Sequence, residues 1–410
     1  MRFLKSLFAL MLGLVVVCSA VGCKESDTGG RYSDVHLESG DSAARTVLVY
    51  IMAENNLTWN VRSDLNEMMR GVYSIPDSCY LLAFVDNVHY PYICHLYKDL
   101  NGTAVCDTVL RYKEDFYSTD TARFREVLTW VLDEYPSDNL GLVMWSHGSG
   151  WISDVNRTRS IGVDNGQNAY ENLLSTSRWM EVEELAAVLE SLPVKSDYVL
   201  YDACFMQCIE AAYMMRNATE WLVGSPAELP ANGAPYDKIM ASLFSFPFNP
   251  DSLIYHYKRG YTEYKGVLLS AIKTSALERL AEVTADIVPA YFSHPDTIDD
   301  SKVFSYLPGG SFKENSSLPE FCDMNGEMML RLPSELYTIW KEAFDEAVPF
   351  RAAAQKWSTS YYYKPFVVDQ SQFGGVSMYV PRDSAMYYLF NDDFRKTEWY
   401  NATGWEVAGW

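Results

Sequence analysis

Positive charge is what this chain has least of. Lysine and arginine number 33 against 54 aspartates and glutamates, a formal charge of −21. No basic stripe exists to offset phosphate charge, so nucleic acid is excluded as a partner. The acidic balance speaks for solubility and at most for a cationic substrate. A Gly-x-Ser-x-Gly elbow is absent throughout, which disfavours a serine hydrolase. Histidine is scarce at 6. Without a second His-rich cluster, a metal site on Cys204, Cys208 and His147 is poorly supported, and no metal-ligating residue is assigned. Internal repeats are lacking. The apolar run from Leu7 to Ala20 is too short to cross a membrane comfortably.

What is present describes an ordinary globular protein. The apolar share of 48% and charged share of 21% are far from those of a disordered chain, and 410 residues can bury a large core. Arg2, Lys5 and the apolar stretch after them read as an export signal over residues 1–22. Ser19-Ala20-Val21-Gly22-Cys23 then resembles a bacterial lipobox, with Ala20 where Leu is usual. In such a sequence the cysteine is lipidated and becomes the mature N-terminus. The expectation is a bacterial lipoprotein, extracytoplasmic at the outer membrane or cell surface, touching the membrane through lipid on Cys23. Residues 23–45, polar and rich in Gly, Ser and Asp, form a tether. An extracytoplasmic home permits disulfides, and Cys94 and Cys106 flank a hairpin around Asn101-Gly102 that would let them pair.

Downstream, apolar runs alternate with helical patterns. Thr46 to Met52, Tyr80 to Val85, Leu140 to Trp145, Tyr198 to Tyr201, Trp221 to Gly224 and Val267 to Ile272 read as strands. Leu57, Val61, Leu65 and Met68 mark a helix that Asn55 or Asn56 would cap. Phe124, Val127, Leu128, Val131 and Leu132 mark another, ended near Pro136. A further helix carries Val182, Leu185 and Leu189, and one begins close after Cys204. This alternation predicts a doubly wound α/β sandwich over residues 46–295, with its ligand site at the carboxyl ends of the parallel strands. Residues 296–410 are less regular. They hold a helix near Ser334 to Ala347 and a strand from Gly375 to Pro381, and read as a C-terminal extension packed on the same domain.

Two strings carry the chemistry: Ser146-His147-Gly148-Ser149-Gly150-Trp151, and Asp202-Ala203-Cys204. Each follows a strand, and two strands joined by a helix lie parallel, which delivers His147 and Cys204 to one sheet edge. Cys204 at a strand end, just ahead of a helix dipole, suits a nucleophilic thiolate. His147 would move protons, and the backbone N–H groups of Gly148 and Cys204 would receive an oxyanion. The bland reading is a small buried cysteine near an ordinary His-Gly turn.

Taken with their surroundings, these strings resemble the clostripain family of cysteine peptidases, relatives of caspases, legumain and gingipains. The likeness begins at Tyr50 to Leu57 and Asp64 to Met68, and continues through Tyr135 to Asp138, Ser146 to Trp151 and Val182 to Leu185. It takes in Asp202 to Met206 with Glu210, and reappears at Ser225 to Tyr236 and Gly375 to Pro381. The resemblance implies a caspase-like α/β/α sandwich with a mostly parallel central sheet and a catalytic dyad of His147 and Cys204. It implies a cysteine endopeptidase that cleaves peptide or protein substrates after Arg or Lys through a thioester acyl-enzyme. Asp202 would then sit near the specificity pocket, where a carboxylate pairs with a guanidinium; equally, it would be a structural carboxylate accepting N–H bonds in the turn. The chemistry requires no cofactor. Calcium dependence is known in the family, so calcium enters as a cofactor the resemblance allows, although no acidic cluster along the sequence identifies a site.

One segment departs from the family pattern. Relatives carry acidic residues soon after the Ser and a Trp after the Gly; here Pro226, Ala227 and Ala234 stand there, and Glu228 is the nearby carboxylate. The pocket wall has changed, which leaves Glu228 to face a P1 cation or to be a solvated loop residue. The same change supports an alternative from another class, an inactive or narrow-specificity paralogue acting as a surface binding lipoprotein. Finally, Arg157 and Arg159 follow Trp151 in a polar loop and offer sites for the internal self-processing that some relatives undergo.

Overall fold

The computed structural model describes residues 40–154, 157–158, 160–166, 177–264, 266–291, 302–306, 321–358, 366–382 and 388–409. The signal segment, Cys23, the tether up to residue 39 and Arg159 lie outside the described residues.

Nine strands build one sheet: β1 (Arg45–Met52), β2 (Cys79–Asp86), β3 (Tyr92–Lys98), β4 (Ala104–Arg111), β5 (Leu140–Trp145), β6 (Ser196–Asp202), β7 (Thr219–Gly224), β8 (Leu268–Lys273) and β9 (Phe350–Ala353). Across the sheet they stand in the order β9-β8-β7-β6-β5-β1-β2-β3-β4. The pairs from β7 to β2 are parallel, and antiparallel pairs finish both edges.

The helices are α1 (Val61–Gly71), α2 (Thr121–Glu134), α3 (Val182–Glu190), α4 (Ile209–Met214), α5 (Tyr236–Leu243), α6 (Pro250–Arg259), α7 (Leu277–Tyr291), α8 (Met324–Arg331), α9 (Ser334–Ala347), α10 (Tyr388–Phe394) and α11 (Glu398–Thr403). The period-two alternation of a strand divides them between two faces. Val47, Val49 and Ile51 of β1 pack with α1, α5 and α6; Leu48, Tyr50 and Met52 face a core shared by α2, α3, α4 and α7, and by the elements after residue 320. Both faces of the parallel centre are therefore dry, which is why its sequence is apolar without interruption.

Local signals explain where several elements start. Asp120 caps α2 by accepting N–H bonds from Ala122 and Arg123 at 3.0 and 3.1 Å. Pro250 opens α6, behind an Asn249 cap that accepts from the Ser252 N–H.

Four expectations need correction. β1 begins at Arg45, whose buried guanidinium pairs with Asp197 and donates to the Leu243 carbonyl, so the fold starts inside the expected tether. Residue Asn60, not Asn55 or Asn56, precedes α1, because those two side chains are engaged elsewhere. No helix begins beside Cys204: Phe205 adopts φ 61° and α4 starts only at Ile209, which removes the helix dipole from the thiol. The strand expected from Gly375 to Pro381 is reduced to Ser377–Met378, paired with Cys322–Asp323. Cys94 and Cys106 stand on adjacent strands as free thiols. The region after residue 296 does more than cover the sandwich, since β9 pairs with β8 inside the central sheet.

Candidate active site

β5 and β6 are hydrogen-bonded neighbours in parallel, with Trp145 opposite Asp202. The turn after each strand therefore opens at the same sheet edge. In the first turn, the Ser146 hydroxyl donates to the Met52 carbonyl at 2.7 Å and accepts from the Val163 N–H at 3.1 Å. The Gly162 N–H donates to the His147 carbonyl at 2.9 Å. These bonds clamp the histidine turn between the end of β1 and the segment Ile161–Asp164. In the second turn, the Phe205 N–H donates to the Ala227 carbonyl and the Gln207 N–H to the Ser225 carbonyl, both at 3.1 Å. The turns touch at Gly148, where a Cβ would stand 2.5 Å from the Cys204 carbonyl oxygen. Only glycine allows that approach.

His147 and Cys204 both line a cavity of about 240 Å³, with Asn56, Trp145, Asp202, Glu228 and Leu229 among the other walls. His147 Nε2 lies 2.7 Å from Asn56 Oδ1. A carbonyl-type oxygen only accepts, so Nε2 carries the proton and Nδ1 is left as the base. Burial pulls the imidazole down to about 4. Burial pushes the Cys204 thiol up to about 12; the Leu229 N–H, 3.3 Å from Sγ, opposes the rise, and the Glu228 and Asp202 carboxylates add to it. At neutral pH the pair rests as uncharged thiol and uncharged imidazole.

Asp202 is fully engaged. Its Oδ2 accepts from the Ala234 N–H at 3.0 Å and the Tyr236 hydroxyl at 2.9 Å, and its Oδ1 from the Tyr257 hydroxyl at 3.2 Å. Burial raises its pKa, and these three donors work against the rise. Behind the wall, the Trp145 indole N–H donates to Asp64 at 2.8 Å; burial, with Asp202 nearby, lifts Asp64 to about 8. Asp202 thus accepts three hydrogen bonds in its turn and also lines the cavity. Glu228 lines the same cavity and is half-buried. The divergent segment contributes Leu229, Pro230, Ala231 and Gly233 to the wall, while Ala227 and Ala234 are wholly buried beneath it.

Sequence reasoning named His147, Gly148, Asp202, Cys204 and Glu228, and the structure brings all of them together. It missed Asn56, read as a helix cap, although Asn55-Asn56-Leu57 lay within the likeness. It also missed the Leu229 N–H and the two tyrosines on Asp202, for which no local signal exists. Outside the cavity walls, Glu54, Asp86 and Asp164 are the group found among the described residues whose donor atoms are close enough to share a cation.

A thiol and an imidazole in the turns that follow two neighbouring parallel strands of such a sandwich fit the class of cysteine-type peptidases. The chain belongs to the clostripain family, whose profile matches residues 49–410. Among solved structures it is similar to a secreted C11 cysteine protease from Bacteroides thetaiotaomicron in complex with an irreversible peptide inhibitor. That chain is 29% identical with a TM-score of 0.75, over 89% of this chain and 100% of the other. An inactive zymogen C11 protease from Parabacteroides distasonis is 26% identical, with a TM-score of 0.73 over 88% and 99% of the two chains. A further secreted C11 cysteine protease from Bacteroides thetaiotaomicron shares the fold at 22% identity, with a TM-score of 0.71 over 88% and 99%. No curated protein sequence matches it significantly. The caspase-like architecture and the peptidase class are therefore those of the family.

Proposed function

We propose that the chain is a cysteine endopeptidase in which Cys204 is the nucleophile and His147 the proton carrier. The observation that carries this reading is the meeting of both side chains on one cavity that also exposes Asp202. When a peptide enters, the thiol proton passes to His147 Nδ1 and Sγ bonds to the scissile carbonyl carbon, whose π electrons move to oxygen. The N–H groups of Gly148 and Cys204 hold that oxyanion. Collapse re-forms the carbonyl and breaks the C–N bond, and the leaving amine takes the imidazolium proton. Water, deprotonated by His147, then opens the thioester and returns the proton to sulfur. Since thiol and imidazole rest uncharged, the ion pair forms only as substrate fills the cavity.

Asp202 supports a basic P1 residue: a cationic side chain entering the cavity would meet its buried carboxylate, with Glu228 nearer the mouth. The similar Bacteroides protease is described as secreted; for this chain we infer an extracytoplasmic lipoprotein anchored through Cys23. No helix among the described residues is long and apolar enough to cross a membrane. Metabolic labelling with an alkyne fatty acid, lost in Cys23→Ala, tests the anchor.

Fluorogenic peptides with Arg, Lys or neutral P1 residues test the activity, together with an acyloxymethyl-ketone label. Turnover after Arg or Lys and labelling at Cys204, both absent in Cys204→Ala, are expected. Turnover confined to neutral P1 residues overturns the specificity; neither turnover nor labelling overturns the peptidase mechanism and leaves the binding lipoprotein.

A further inference from the structure

The turn after β1 does more than carry Asn56 to His147. Asn55 is wholly buried and locks that turn. Its amide nitrogen donates to the Met52 carbonyl at 3.0 Å and the Val163 carbonyl at 2.7 Å, and its Oδ1 accepts from the Leu57 N–H at 2.8 Å. The Asn60 N–H then donates to the Leu57 carbonyl at 2.8 Å. The side-chain amide of Asn60 reaches across to the Ala231 carbonyl, also at 2.8 Å. The turn is thus fixed at both ends, to the β1 side and to the segment that walls the cavity.

Four apolar residues from these two segments line the cavity: Leu57 from the turn, and Leu229, Pro230 and Ala231 from the divergent segment. Trp59 lies between Leu57 and Asn60, which puts it at the rim of the same wall. It is 75% exposed, and among the described residues it is the only tryptophan left mainly in solvent. Elsewhere the molecule keeps its indoles inside, with Trp340, Trp357, Trp399 and Trp405 fully buried. A large aromatic on a rigid turn has little freedom to lose on binding, which suits it as an anchor. Asp202 and Glu228 line the same cavity. The cavity therefore offers two chemistries side by side, one for a cation and one for an apolar group.

We propose that Leu57 and Trp59, with Leu229, Pro230 and Ala231, form a second subsite that takes an apolar side chain flanking P1. The choice of occupant rests on the peptidase reading. A peptide whose P1 residue meets Asp202 brings its next side chain only about 3.5 Å further along the backbone. Burial of a leucine there should tighten binding by about 10-fold or more.

The Cys204→Ala full chain tests the subsite without catalysis. Labelled peptides containing Gly-Arg-Gly, Leu-Arg-Gly or Gly-Arg-Leu in one common frame are titrated by fluorescence anisotropy, with acrylamide quenching of tryptophan as a second readout. One of the two leucine peptides should bind about 10-fold or more tighter than the glycine peptide. It should also shield a quenchable emission that Trp59→Phe lacks. Trp59→Ala, at an exposed position that opens no core cavity, should bring the leucine-to-glycine ratio close to one, and Trp59→Phe should keep most of it. Equal affinities for all three peptides, no binding by any of them, or a ratio undiminished in Trp59→Ala overturns the subsite. The wild type separates this from the peptidase reading. A leucine preference in binding, without turnover or labelling at Cys204, upholds the subsite and defeats the chemistry; turnover with no leucine preference does the reverse.

Discussion

Asn56 gives His147 its tautomer, and losing it should be felt in turnover rather than in binding. A hydrogen bond to an imidazolium is worth about 1.5–3 kcal/mol, so Asn56→Ala should lower kcat by roughly 10- to 100-fold with KM little changed. Steady-state kinetics on the best peptide would show it; a pure KM effect would mean that Asn56 touches substrate instead. The resting state makes a second prediction. With the Cys204 thiol raised to about 12 by burial, alkylation by iodoacetamide should keep accelerating above pH of about 8.5, where an ordinary thiol levels off. A plateau in acid would reveal a preformed thiolate–imidazolium pair. Asp202→Asn separates the two roles of that carboxylate. A selector loses kcat/KM for Arg and Lys substrates by about 10-fold or more and spares neutral ones; a brace alone loses all substrates equally as the melting midpoint falls.

At the scale of elements, the contact of the two turns is the most exacting feature. Gly148→Ala would drive a Cβ into the Cys204 carbonyl, which is backbone and has little room to yield. Activity should fall by at least about 100-fold while far-UV circular dichroism stays native. Much of this level was legible in the sequence. The runs at Leu140 to Trp145 and Tyr198 to Tyr201 could only be buried parallel strands, and their pairing brings His147 to Cys204. What escaped depends on side-chain partners far along the chain. Asn56 looks like any helix cap until His147 is placed beside it, and the helix expected after Cys204 yields to bonds from Phe205 and Gln207 to Ala227 and Ser225. β9, of four residues, has no periodicity long enough to distinguish. Trp340 of the preceding α9 is wholly buried and stacks on Phe344 at 4.8 Å. Trp340→Ala should cost about 3–5 kcal/mol, read as a lower urea midpoint.

For the molecule as a whole, buried acids set the response to pH. Burial raises Asp64 to about 8, Glu181 and Glu210 to about 7 and Asp323 to about 6. The folded state therefore binds more protons than the unfolded chain above pH of about 4. Their stabilising contribution is complete below that point and is lost as pH rises through each folded value. His147, lowered to about 4, acts oppositely and withdraws stability as pH falls below about 6.5. With four acids against one histidine, melting temperature should decline from pH 6 to pH 8.5, and Asp64→Asn should flatten the upper part of that slope. A rising profile across this window would contradict the assignment.

The seam between β5 and β6 has a kinetic consequence. Their hydrogen bonds run through segments that are separated along the chain by the loop containing Arg157. A nick in that loop would leave two polypeptides held in one sheet, travelling together under native conditions and parting only in denaturant. Once parted, they would have to find each other by diffusion. Refolding, first order for the intact chain, would become second order, and the nicked protein would recover faster as it is made more concentrated.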